Sequence, residues 1–206
     1  PKPSFGRHMK LRYALALLIA LGIVNTSAQE LPMPRNIKAI YAAGLRSKDG
    51  KPSSKYFQNR SAHNIKISVS PPNRRVIGFQ QIVYKNNSPI PLDQLIYRLE
   101  ANAHAPEAMR ESPVSSGNLT GDVVIDEYSE NGKVIKWDPQ LKYKGITANA
   151  HKLEKPLMPG ESVTLGFKWH YDLGLQYIRD GVFDPTTFFI AYFFPRIATL
   201  SDAEAS

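Results

Sequence analysis

No cysteine occurs at any of the 206 positions. Disulfide stapling and thiol catalysis are therefore excluded, and stability must come from burial; in an exported protein this fits a bacterial envelope better than a small eukaryotic secreted module. The chain also lacks a G-x-S-x-G elbow, a Walker loop, a dinucleotide fingerprint and a His-Glu-x-x-His pair. Its five histidines are scattered. His8 precedes the first methionine, and His63, His104, His151 and His170 are never paired at metal-ligand spacing. His104 and Glu107 are three apart, but Pro106 interrupts any helix that would aim them together. Surface or loop positions are expected for all of them, with His170 on the polar face of a strand. The formal charge of +8 is not gathered into a helix-long basic stripe, nor interleaved with aromatics, so no nucleic-acid partner is expected.

Among the features present, the amino-terminal pattern comes first. Residues 1–8 precede Met9 and read as a tag scar or an upstream frame. Lys10 and Arg12, the apolar stretch 13–24 and the small residues Thr26-Ser27-Ala28 then form the three regions of a secretory signal peptide, residues 9–28. The apolar run is shorter than the roughly 20 residues that cross hydrocarbon, so cleavage and no membrane attachment afterwards are expected. Cleavage would remove Lys2, Arg7, Lys10 and Arg12 and halve the formal charge. The exported remainder, periplasmic or secreted, suits one domain with a real core.

Residues 29–61 read as a lead-in with one short helix over 35–46, where Ile37, Ile40, Tyr41 and Leu45 recur near the helical period until Asp49-Gly50 and Pro52 stop it. A β domain is expected over 62–200. "NIKISVS" sets Ile65, Ile67 and Val69 on one face, and "ESVTLGFKWHY" alternates Val163, Leu165, Phe167, Trp169 and Tyr171 with polar or small residues. Five further stretches rich in β-branched and aromatic residues lie between them. Asn131-Gly132 is a type I′ hairpin signal, and Pro159-Gly160 a turn. The fold class that follows is all-β, a mainly antiparallel β-sandwich or curved, saddle-like sheet of seven or eight strands, with one short helix after the signal-peptide helix. Residues 188–194, "FFIAYFF", read as a strand buried on both faces, which something beyond this chain would cover. Residues 201–206 would then begin a linker.

The acids Asp122, Asp126, Glu127 and Glu130 flank a hairpin, where exposed carboxylates are common, and their spacing does not describe a calcium cage. Trp137, Trp169, Tyr192 and Phe194 would suit a carbohydrate platform, but core packing is the expected use of aromatics on alternating strands. These residues outline an exported β domain without catalytic machinery and with no cofactor of its own.

Three stretches in order, "IGFQQIVYKNNSPIPLDQLIYRLEANAH", "LEKPLMPGESVTLGFKWHYDL" and "TTFFIAYFFPRIA", resemble the amino-terminal β domain of M1-type zinc aminopeptidases, the gluzincins, particularly exported bacterial members. The likeness covers residues 31–200 and rests on Asn86 and Leu92 after a strand, the "L..NAH" ending at His104, the Pro159-Gly160-Glu161 turn and the aromatic-Pro195 pair. It implies a parent peptidase that acts on peptides, whose zinc, Gly-x-Met-Glu-Asn and His-Glu-x-x-His lie in a carboxy-terminal catalytic domain. That domain is the expected partner and cover of residues 188–194. The likeness also implies that this domain forms one wall of the substrate cleft, with Phe188 and Tyr192 beside it and no catalytic residue or metal ligand of its own. The family's Gln-x-Glu element, which helps hold a substrate α-amine, is replaced by the acid-free "TTFFIAYFF". The rival readings are a non-enzymatic envelope β-sandwich that binds protein or glycan, and an M1-like scaffold whose second domain lacks zinc ligands.

Overall fold

In the strand Ser162–Asp172, Val163, Leu165, Phe167, Trp169 and Tyr171 are all buried, and the residues between them are not. This strict alternation is the period-2 pattern of a sheet with one face on a core. The structure, a computed structural model, describes residues 32–175 and 179–202; the expected signal peptide lies outside them. One compact unit, Asn36–Ser206, carries the sheets.

Among the described residues a single α-helix, α1 (Arg35–Ala42), precedes the strands. It ends four residues earlier than its apolar period predicts, because Gly44 takes a left-handed φ of 69° and Leu45 turns inward to be buried. Ten strands follow among the described residues: β1 (Arg60–Val69), β2 (Arg75–Lys85), β3 (Leu92–Arg98), β4 (Val124–Glu130), β5 (Lys133–Ile135), β6 (Ala148–Leu157), β7 (Ser162–Asp172), β8 (Gly181–Asp184), β9 (Thr187–Phe189) and β10 (Arg196–Ile197). All named pairings are antiparallel. One sheet has the order β1-β2-β7-β4-β5, a second β10-β3-β6, and β8 and β9 form a separate ribbon. The chain is thus all-β. No helix among the described residues is long and apolar enough to cross a membrane.

The two larger sheets share one core, in which Val76, Ile82 and Tyr84 of β2 and the buried face of β7 meet Leu95 and Tyr97 of β3 and Leu153 and Leu157 of β6. Burial of such faces is the main stabilising term, at about 25 cal/mol per Å² of apolar area. Gly78 is required where it stands: the Trp169 indole lies against its Cα, and any Cβ there would overlap the ring. The β4–β5 hairpin turns at Asn131 and Gly132, with φ of 50° and 83°, as a type I′ turn demands. β1 is less covered. Ile65, Ile67 and Val69 share its inner face, yet Ile67 stays exposed because the second sheet does not extend over this edge.

Residues 188–194 do not form the expected strand. Only Thr187–Phe189 pairs, with β8, and residues 190–195 run irregularly across the inner face of the larger sheet. Phe193 packs on Trp169 with ring centroids 6.4 Å apart, Phe194 on the His63 ring at 5.6 Å, and the Pro195 carbonyl accepts a 2.9 Å hydrogen bond from Gln80. The aromatic run is apolar because half of it caps this chain's own core, so the cover expected from elsewhere is partly supplied here. Phe189 and Tyr192 remain exposed.

His151 also departs from its expected surface position. It is buried in β6, stacked on Trp137 at 5.0 Å with an interplanar angle of 10° and edge-on to Tyr128 at 4.6 Å. The inward parity of β6 is set by Leu153, and His151 lies two residues before it.

Candidate functional site

Where the irregular segment leaves β9, Tyr192 adopts φ 52°, a left-handed conformation that a bulky side chain rarely takes. Such a residue costs about 1–3 kcal/mol unless its surroundings hold it. They do so through Asp180, just before β8. One carboxylate oxygen accepts a 3.3 Å hydrogen bond from the Ala191 amide, and the other lies 3.2 Å from His104 Nε2. His104 ends the 3-10 turn Glu100–His104 after β3. Its pKa is raised above the ordinary histidine value, chiefly by the hydrogen bond to Asp180, with burial opposing.

The Tyr192 ring, half exposed, is flanked by two guanidiniums, Arg196 at 5.4 Å and Arg179 at 5.9 Å from its centroid. Both distances fall within cation–π range. Arg196 also donates to Glu100 at 2.8 Å, and Glu100 accepts from Arg98 at 3.0 Å. Together Tyr192, Arg179, Asp180, His104, Arg110 and Val114 border a cleft of about 470 Å³, a volume within the range of small-ligand sites. Burial pushes the Tyr171 hydroxyl far above its usual pKa, and Asp180 adds to the effect.

Of the two residues that the resemblance sets beside the parent's substrate cleft, Tyr192 borders this cleft and Phe188 is not among its lining residues. Phe188 sits half-buried against the shared core. The chain places Arg110, Arg179, Asp180 and His104 around Tyr192 with no sequence signal, since they come from loops that only the tertiary fold brings together.

The remaining candidates disperse. Asp126 pairs with His170 at 2.8 Å on the outer sheet face, Glu127 with Lys168 at 2.7 Å, Asp122 accepts from the Gly145 amide, and Glu130 is buried beside Tyr128. These four acids therefore face different partners. Trp169 is fully buried and Trp137 lies against the core, so neither offers a carbohydrate platform. The zinc that the resemblance implies finds no ligand set here: among the described residues no three His, Cys, Asp or Glu side chains converge to hold a metal.

The residues that carry the resemblance act as staples. Asn86, fully buried, donates to the Ile90 and Leu157 carbonyls at 2.8 and 3.0 Å, and its carbonyl accepts from Gly160 in the turn before β7. Asn102 joins the Ile146 carbonyl to the Val123 amide. No family model, curated protein or solved structure matches the chain.

Proposed function

We propose that this chain is the non-catalytic amino-terminal β domain of an exported M1-like zinc metallopeptidase, an aminopeptidase, and that its Tyr192 cleft forms one wall of the substrate cleft. The observation that carries this reading is Tyr192 itself, held in a strained left-handed conformation with its ring exposed over a cleft rather than packed. Strain of this kind persists where the surrounding structure enforces it, and it clusters at ligand-binding positions. In the parent, zinc would supply the polarising and water-activating chemistry, from ligands outside the described residues. The chain's own contribution is positional. Asp180 fixes the 190–192 backbone, and the Tyr192 ring and neighbouring guanidiniums present a flat, partly cationic wall to an extended peptide.

The direct test is the coding sequence beyond Ser206. The proposal expects it to continue into Gly-x-Met-Glu-Asn and His-Glu-x-x-His; an immediate stop codon, or a second domain without zinc ligands, would overturn it. In an active parent, Tyr192→Ala should lower kcat/KM for peptides about tenfold, the loss of one aromatic contact.

The envelope-module reading draws on a different surface. Ile77, Phe79, Val83 and Val124 are exposed on the outer face of the five-stranded sheet, with a shallow hollow over Gly166. Such a patch would suit a protein partner.

A further inference from the structure

The charges around Tyr192 are unevenly used. Arg110 and Arg179 both line the cleft, and neither has a carboxylate partner among the described residues. Arg110 is oriented by carbonyl oxygens, those of Ala103 at 3.2 Å, Pro106 at 3.4 Å and also Ala105, so its guanidinium is positioned without being neutralised. Arg179 is exposed and rests near the Tyr192 ring. The nearby acids are already engaged: Asp180 by His104 and the Ala191 amide, Glu100 by Arg98 and Arg196. Of the cleft's lining acids, Glu111 alone has no partner among the described residues. A free ammonium would therefore meet two guanidiniums and one uncommitted carboxylate. A carboxylate would meet the same three groups with the signs inverted, two attractive and one repulsive, and with the fork geometry that guanidinium offers to carboxylate oxygens. Beside these groups the lining has the polar Ser112 and His104 and the apolar or aromatic Ala103, Val114, Ala191 and Tyr192.

We propose that the Tyr192 cleft is a carboxylate-binding site that takes an acid carried on an apolar or aromatic body, with Arg179 as the main electrostatic partner and the Tyr192 ring as the stacking surface. This concerns the same cleft as the peptidase reading, and rests on that reading only for the ligand's being a peptide. The carboxylate is either the α-carboxylate of a peptide end or an acidic side chain. The cleft thereby selects the group opposite in charge to a free amino terminus, consistent with the absence of any acid in "TTFFIAYFF".

The test titrates the full chain with three small probes and follows the backbone amides of Ala191 and Tyr192 by NMR. The probes are N-acetyl-phenylalanine, its neutral amide, and a doubly blocked Phe-Asp dipeptide whose one acid is a side chain. The free acid should bind about tenfold more tightly than the amide, the worth of one charge-assisted contact. If the dipeptide matches the acid, the source is a side chain; if it matches the amide, the source is an α-carboxylate. Arg179→Gln should bring acid and amide within about twofold of one another, whereas Arg179→Lys should keep part of the difference. Should Arg179→Gln fail to fold, Arg110→Gln serves as the second variant, with the same narrowing expected. Equal affinity of acid and amide for the parent, no shift with any probe, or an undiminished preference in the folded glutamine variants would overturn the assignment. No catalysis is read. A chain that prefers the acid but whose gene encodes no peptidase keeps this site and loses the peptidase reading, and a working peptidase whose domain treats acid and amide alike does the opposite.

Discussion

Two aromatic groupings occupy opposite situations in this molecule. Between the sheets, Tyr97, Tyr128, Trp137, Phe167 and His151 form a cluster of edge-on, tilted and stacked pairs, with centroids 4.6 to 6.4 Å apart. Their polar atoms are largely satisfied inside the cluster. The Tyr97 and Tyr128 hydroxyls lie 3.0 Å apart, Tyr128 donates to Glu130 at 2.9 Å, and the other Glu130 oxygen accepts from the Glu154 amide. At the cleft, Tyr192 has a strained backbone, an exposed ring and guanidiniums for neighbours. The first grouping uses aromatic area for stability. The second holds an aromatic ring in the open at a cost in backbone energy, the feature on which the proposed ligand role rests.

The contrast can be broken most forcefully from the core side. Trp169→Ala, which empties the site between Gly78 and Phe193, should cost about 3–5 kcal/mol in urea unfolding, enough to unfold much of the population. A loss below 1 kcal/mol would mean that the two sheets do not share this core. Tyr128→Phe keeps the ring and removes the hydroxyl between Tyr97 and Glu130, so about 1–3 kcal/mol should be lost, with the far-UV spectrum unchanged.

The two regions should also answer pH in opposite directions. Burial lowers the His151 pKa, with Glu130 opposing. The unfolded chain then takes the proton first, near pH 6.5, and stability falls as pH drops below that value, by at most about 1.4 kcal/mol per unit for one proton. Replacing His151 with Phe should flatten this acid-side loss. His104 behaves in reverse: its folded pKa is raised by Asp180, so its contribution is present in full below the unfolded value and disappears as pH rises through the folded one. His104→Gln should therefore cost stability at pH 5 and little at pH 9, measured as urea midpoints. If both variants shift the profile the same way, the opposed environments of the two histidines are wrong.

The fold is largely legible in the sequence because it rests on period 2. The alternation of residues 163–171, the hairpin at Asn131-Gly132 and the single face of Ile65, Ile67 and Val69 are local signals, and all three appear as expected. Residues 188–194 mislead because an apolar run has the same composition whether it pairs as a strand or crosses a sheet face irregularly. What decides between these is the left-handed Tyr192 and the Asp180 contact to Ala191, both tertiary. His151 and Asn149 mislead for a related reason. Polar residues on an inward parity look like an outer face, but Asn149 is satisfied by the Leu141 backbone, and His151 is held by its ring stacked on Trp137 although its Nδ1 has no hydrogen-bond partner among the described residues. Of the cleft-lining residues, Tyr192 alone is expected beside a cleft, and only as something the resemblance implies. Its cationic neighbours come from the turn after β3 and the segments around β8 and β10, and no spacing along the chain announces them.

The most direct test of the account is the unfolding free energy of Tyr192→Gly. Glycine adopts a left-handed φ without steric cost, whereas the half-exposed ring gives up two cation–π contacts worth about 0.5–1 kcal/mol each. If Tyr192 is held out for a ligand, relief of the backbone strain should nearly balance removal of the ring, leaving stability within about 0.5 kcal/mol of the parent. A loss of about 2 kcal/mol or more would show that the ring is part of the structural framework, and would contradict the reading of the cleft as a site.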